Sequence, residues 1–124
     1  HVLIAFKLFS YFEDIVVSKE NIGFNEEFII SASITNTGNK DGKELVQLYI
    51  QDVIGSITRP IRELKGFEHV FLKSGETKKV SFTISSKDLK FVNSNMRFAA
   101  EKGKFNAWIA PNAASGLQTS FNLL

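Results

Sequence analysis

An alternation of apolar and polar side chains with a period of two constrains this chain more than any other feature. Phe28, Ile30, Ala32 and Ile34 fall on one side of an extended segment, and Ser31, Ser33 and Thr35 fall on the other. The same pattern returns in Val46, Leu48 and Ile50 against Leu45, Gln47 and Tyr49, in Val80, Phe82 and Ile84 against Lys79, Ser81 and Thr83, and in Phe105, Ala107 and Ile109 against Asn106 and Trp108. Successive side chains of a strand point to opposite faces, so this spacing belongs to strands with one buried face. Phe121 and Leu123 supply a last inward pair.

The breaks between these rows are rich in turn formers. Asn36-Thr37-Gly38-Asn39-Lys40-Asp41-Gly42 reads as a hairpin connection, because Gly and Asn tolerate the positive φ that tight reversals need. Gly55-Ser56, Lys73-Ser74-Gly75-Glu76, Lys102-Gly103, Pro111-Asn112 and Ser115-Gly116 mark further breaks. Pro60 lacks an N–H and belongs at a strand start or an edge. Beyond it, Ile61, Glu63, Lys65 and Phe67 alternate with Arg62, Leu64 and Gly66, and Val70 and Leu72 resume the inward face. Gly66 inside that run points to a bulge or a close backbone approach. Ser85 followed by Asp88 is a helix-start signal and predicts one short turn. One or two short strands are expected around Asn93-Ser94-Asn95. Seven or eight short strands with turn signals every ~8–12 residues predict an all-β antiparallel sandwich, and no long helical pattern supports a parallel α/β sheet.

Composition narrows the function. A chain of 124 residues is the size of one domain, and with no cysteine it has neither disulfides nor thiolate metal ligands. Fifteen Lys and Arg against thirteen Asp and Glu give a net charge of +2, too balanced for a nucleic-acid binder. No apolar run approaches the ~20 residues that cross a bilayer. The start His1-Val2-Leu3-Ile4-Ala5-Phe6 lacks the basic lead and cleavage site of a signal peptide.

The residues offer no constellation for catalysis. His69 has no second histidine or cysteine nearby and reads as an outward strand residue, so no metal or cofactor is expected. There is no Gly-x-Ser-x-Gly elbow and no phosphate-binding glycine loop. The acids Asp14, Asp41, Asp52, Glu63, Asp88 and Glu101 are scattered. Two features stand out instead. Trp108 lies opposite the Phe105–Ala107–Ile109 row, where it either stacks on a sugar, meets a partner domain, or packs under covering structure. Ser56, Thr58, Arg59 and Pro60 form a loop in which Arg59 is placed to donate to a neighbouring domain, or internally to Asp52.

The stretches "NTGNKDGKELVQLYIQD", "RPIRELKGFEHVFLKSGETKKVSFTI" and "EKGKFNAWI" resemble the C-terminal fibronectin type III-like domain of glycoside hydrolase family 3, in particular its periplasmic β-glucosidase branch. The match runs from about Asp14 to the C-terminus, with residues 1–13 as a lead-in. That lead-in reads "IAFKLFSY" from Ile4 to Tyr11, without the glycines usual in the family. The resemblance implies an immunoglobulin/fibronectin type III-like sandwich of about seven strands. It implies a parent enzyme that hydrolyses terminal β-glycosidic bonds with two carboxyl groups. Those groups belong to other domains of the family's enzymes, so no catalytic residue carries over to this chain. The implied role is a non-catalytic accessory domain, periplasmic or secreted with its parent, whose partners are the catalytic domains. A carbohydrate-binding module presenting polymer to those domains, or an immunoglobulin-like adhesion domain, is the alternative.

Overall fold

The computed structural model describes residues 10–53, 62–92, 98–100, 102–112 and 115–124. Seven long strands carry the fold: β1 (Ser10–Val17), β3 (Phe28–Asn36), β4 (Gly42–Asp52), β5 (Arg62–Leu72), β6 (Thr77–Ile84), β9 (Gly103–Ala110) and β10 (Leu117–Leu123). Three two-residue strands accompany them: β2 (Asn21–Ile22), β7 (Phe91–Val92) and β8 (Phe98–Ala99). One sheet has the order β1-β3-β6 and the other β2-β10-β9-β4-β5, while β7 and β8 form a small ribbon beside the region expected to hold short strands. Among the described residues every long-strand pair is antiparallel, and β2 runs parallel to its neighbour β10.

The inward rows expected from the alternation line the space between the two sheets. Ile30, Ile34, Val46, Leu48, Ile50, Phe105, Ala107 and Ile109 are fully buried, with Phe121 and Leu123 closing the core from β10. Phe121 packs on Phe105 with parallel rings 5.4 Å apart and on Phe28 at 4.8 Å with tilted rings. At one end, Leu89 is buried by a 3-10 turn, Ser86–Leu89, where the expected Ser-Asp signal operates: the Ser85 N–H donates to Asp88 Oδ2 at 2.9 Å.

Two expectations require correction. The segment 36–42 is not a hairpin connection. β3 pairs with β1 and β6, while β4 pairs with β5 and β9, so the chain crosses from one sheet to the other. Gly and Asn signal that the chain reverses, but not whether the next strand lies beside the first or across the core. The phase of β5 also differs. Leu48 pairs with Gly66 but Tyr49 with Leu64, so Lys65 is an extra residue and a bulge. The bulge moves Phe67 out of the row with Glu63 and onto the outer face with Leu64. Gly66 is both beside a bulge and a close approach, since a Cβ there would meet Phe82 Cδ1 at 3.1 Å.

The expected division after residue 13 runs through β1. Ser10–Glu13 pair with Asn36–Ser33, and Ser10 Oγ donates to Glu44 at 2.7 Å. A second bulge follows between Glu13 and Val16, with Asp14 at φ 56°, which keeps Phe12, Ile15 and Val17 against the core.

Candidate functional site

Of the residues singled out from the sequence, Ser56, Thr58, Arg59 and Pro60 lie outside the described residues. Trp108 is on β9, half-buried, on the outer face of the five-stranded sheet. Its cross-strand partner is Tyr49 of β4, which the alternation places on the same face. Arg62, at the start of β5 opposite Gln51, lays its guanidinium over both rings. Its central carbon is 4.8 Å from the Tyr49 ring centroid and 4.6 Å from that of Trp108. A cation held over aromatic faces in a partly dry setting is worth about 0.5–2 kcal/mol.

The same guanidinium reaches the β9–β10 turn. Arg62 Nη2 donates to the Ser115 carbonyl at 2.9 Å and to that of Asn112 at 3.3 Å. Tyr49 donates its hydroxyl to Gln47, and Gln47 Nε2 donates to the Pro111 carbonyl at 3.1 Å. Three carbonyls of one turn are thus held down onto the sheet by β4 and β5. The turn can close this tightly because Gly116 has φ +115° and no side chain; a Cβ there would stand 2.4 Å from that of Ala110. Sequence alone does not single out Arg62: its phase puts it on the face of Leu64, opposite that of Glu63, but nothing local says that this face is Trp108's.

A second cluster gathers the residues of the quoted family-like stretches. Asn36, fully buried at the end of β3, makes five hydrogen bonds. Its N–H donates to the Glu76 carbonyl at 2.9 Å, and its carbonyl accepts from Gly75 N at 2.9 Å. Its Oδ1 accepts from Gly38 N at 2.9 Å, and its Nδ2 donates to the carbonyls of Lys40 at 2.8 Å and Leu72 at 3.1 Å. Asp41 Oδ1 accepts from Ser74 N at 2.8 Å, and Ser74 Oγ donates to the Gly38 carbonyl at 2.6 Å. Within the turn, Glu76 Oε1 accepts from Lys73 N at 2.9 Å, and Gly75 takes φ +79°. The "NTGNKDG" arch and the "KSGE" turn are therefore one interlocked unit joining the two sheets.

Asp41 and Asp88 accept backbone N–H groups, Glu63 pairs with Lys65 at 3.2 Å, and Asp52 is buried at the end of β4. Glu101 lies outside the described residues. His69 is exposed on β5, edge-on to Phe67 with centroids 6.2 Å apart. Among the described residues no three His, Cys, Asp or Glu side chains come together as metal ligands. Among the described residues, these bonds clamp loops to sheets.

Comparison with known proteins agrees with this architecture. A family model described as the fibronectin type III-like domain matches residues 44–113. The chain is 43% identical over 111 residues to a periplasmic β-glucosidase of Salmonella typhimurium, covering 90% of this chain and 14% of that protein. It is 37% identical over 100 residues to a β-xylosidase of Formosa agariphila, covering 80% of this chain and 14% of that protein. Among solved structures, a β-glucosidase from Erythrobacter marinus superposes with a TM-score of 0.85 at 29% identity, over 94% of this chain and 16% of that one. The chain thus spans about one-sixth or less of the length of the proteins it matches. Because the family model covers more than half of the 124 residues and the sandwich of seven long strands agrees with it, the chain belongs to the fibronectin type III-like domain family.

Proposed function

We propose that this chain is a non-catalytic accessory domain of a β-glucosidase-like retaining glycoside hydrolase that cleaves terminal β-glycosidic bonds. One observation carries the reading: 90% of the chain aligns, at 43% identity, with only 14% of a periplasmic β-glucosidase. The residues that make the quoted stretches recognisable support it from the other side. Asn36, Asp41, Ser74 and Glu76 are all engaged in holding the arch to the turn. Its partners are the catalytic domains of the parent polypeptide, and its place is the periplasm or the exterior, where such a parent works. Arg59 and its neighbours Ser56, Thr58 and Pro60 remain candidates for contact with those domains.

The rival reading as a carbohydrate-binding module rests on Trp108. A sugar platform needs an open ring face, and Arg62 lies over this ring at 4.6 Å. Two assays of the isolated chain test the choice. Aryl β-glucosides should be turned over no faster than in buffer, and titration with cello-oligosaccharides should leave the Trp108 indole resonance in place. Hydrolysis above background would refute the accessory reading, and a saturable shift at Trp108 would favour the binding module.

A further inference from the structure

We propose that the outer face of β5, the row Leu64, Phe67 and Phe71, is the surface on which the remainder of the parent polypeptide packs. This rests on the accessory-domain reading and names the face through which that domain docks. The three side chains are 49%, 62% and 45% exposed. They share one face because of the bulge at Lys65: Leu64 lies opposite Tyr49, Phe67 opposite Gln47 and Phe71 opposite Lys43. His69 stands between the two phenylalanines, opposite Leu45, so along β5 no Asp, Glu, Lys or Arg side chain interrupts the row from Leu64 to Phe71, which Lys43 of β4 borders at its far end. On the outer face of the other sheet the exposed Tyr11, Val16 and Ile29 are separated by Ser31, Ser33, Thr35 and Lys79.

The side chains, rather than the strand edge, are what β5 offers. The bulge breaks its register, and Lys78 Nζ donates to the Phe71 carbonyl at 2.7 Å, so the edge is a poor template for another strand. The size of the row selects the occupant. Half of the roughly 150–250 Å² that an aromatic side chain buries gives about 200 Å² for the two phenylalanines, and Leu64 adds less than either. That is well below the ~800 Å² per partner of a stable association between free molecules. It suffices for a covalently joined neighbour, whose effective concentration reaches the ~mM range. The relatives are single chains of which this domain is 14–16%, so such a neighbour is on hand in each of them.

Hydroxyl-radical footprinting of the full-length polypeptide that carries this chain tests the assignment, with each labelling rate normalised to the same residue in denaturant. Phe67 and Phe71 are expected to be protected at least fivefold more than Tyr11, which is 56% exposed on the other sheet. The protection should not change on tenfold dilution. Labelling of Phe67 and Phe71 at the level of Tyr11 overturns the assignment. Protection that disappears on dilution also overturns it, because the occupant is then a second copy. The same preparation is assayed on aryl β-glucosides and β-xylosides. Absence of turnover overturns the accessory-domain reading itself, whereas turnover with freely labelled Phe67 and Phe71 overturns only the docking face.

Discussion

Replacing Asn36 with alanine should be among the most damaging single changes in this protein that touch no apolar core residue. The substitution removes three side-chain hydrogen bonds while leaving the two made by the backbone. The groups left behind are not equivalent. The Leu72 carbonyl lies in the buried interior, where loss of its partner exposes the desolvation cost of about 1–3 kcal/mol. Gly38 N and the Lys40 carbonyl lie in the arch, where water can replace Asn36, so each costs about 0.5–1.5 kcal/mol. The sum is roughly 4 kcal/mol, a large share of the ~5–15 kcal/mol by which domains are usually stable. For a domain of this size that is a fall of about 10–20 °C in melting temperature. Urea unfolding followed by the fluorescence of Trp108, the single tryptophan, measures it. The midpoint should drop with an unchanged slope, as expected when stability alone changes. Asn36→Asp keeps the acceptor for Gly38 but turns a carboxylate toward two carbonyls, so it should cost at least as much. A loss below ~1 kcal/mol for Asn36→Ala would refute the view that this side chain locks arch to turn.

Other consequences can be measured on the same chain. Arg62→Lys keeps the charge but loses the planar fork, so it should cost about 1 kcal/mol and shift Trp108 emission to longer wavelength; an unchanged emission maximum would count against the stack. Gly116→Ala should cost about 2–4 kcal/mol, since it meets both a positive φ and the backbone of Ile109 and Ala110, whereas Gly75→Ala, with positive φ but open space, should cost only about 1 kcal/mol. Equal losses at the two glycines would show that φ alone matters. Glu26 accepts from Lys19 and from Gly23 N, and these bonds hold its carboxyl below the ordinary range. A depressed folded value means that its contribution is present above the unfolded value of 4.5 and is lost as pH falls through the folded one. Glu26→Gln should therefore narrow the stability gap to wild type as the solution is acidified below that range, and a carbon-detected titration of Glu26 at or above 4.5 would contradict the assignment.

The amino-acid sequence by itself determined the local geometry of this protein. Alternation at Phe28–Ile34, Val46–Ile50, Val80–Ile84 and Phe105–Ile109 named the strands and their buried faces, because which side a residue takes depends only on its neighbours in the chain. The Ser85–Asp88 turn was equally legible, being a bond between residues three apart. Only the tertiary structure decided what lies next to what. The arch after Asn36 crosses between sheets because β1 and β6 occupy both edges of β3, a fact stored in residues 10–17 and 77–84 rather than in the arch. Trp108 was legible as outward-facing, but its neighbour Arg62 comes from 46 positions away through two strand pairings, Tyr49 with Trp108 and Gln51 with Arg62. The exposure of Phe67 depends on one extra residue, Lys65, since a single insertion in a period of two exchanges the faces of everything beyond it. Periodicity is a short-range property and fixes faces; partners are long-range, and they settle which of those faces another surface can meet.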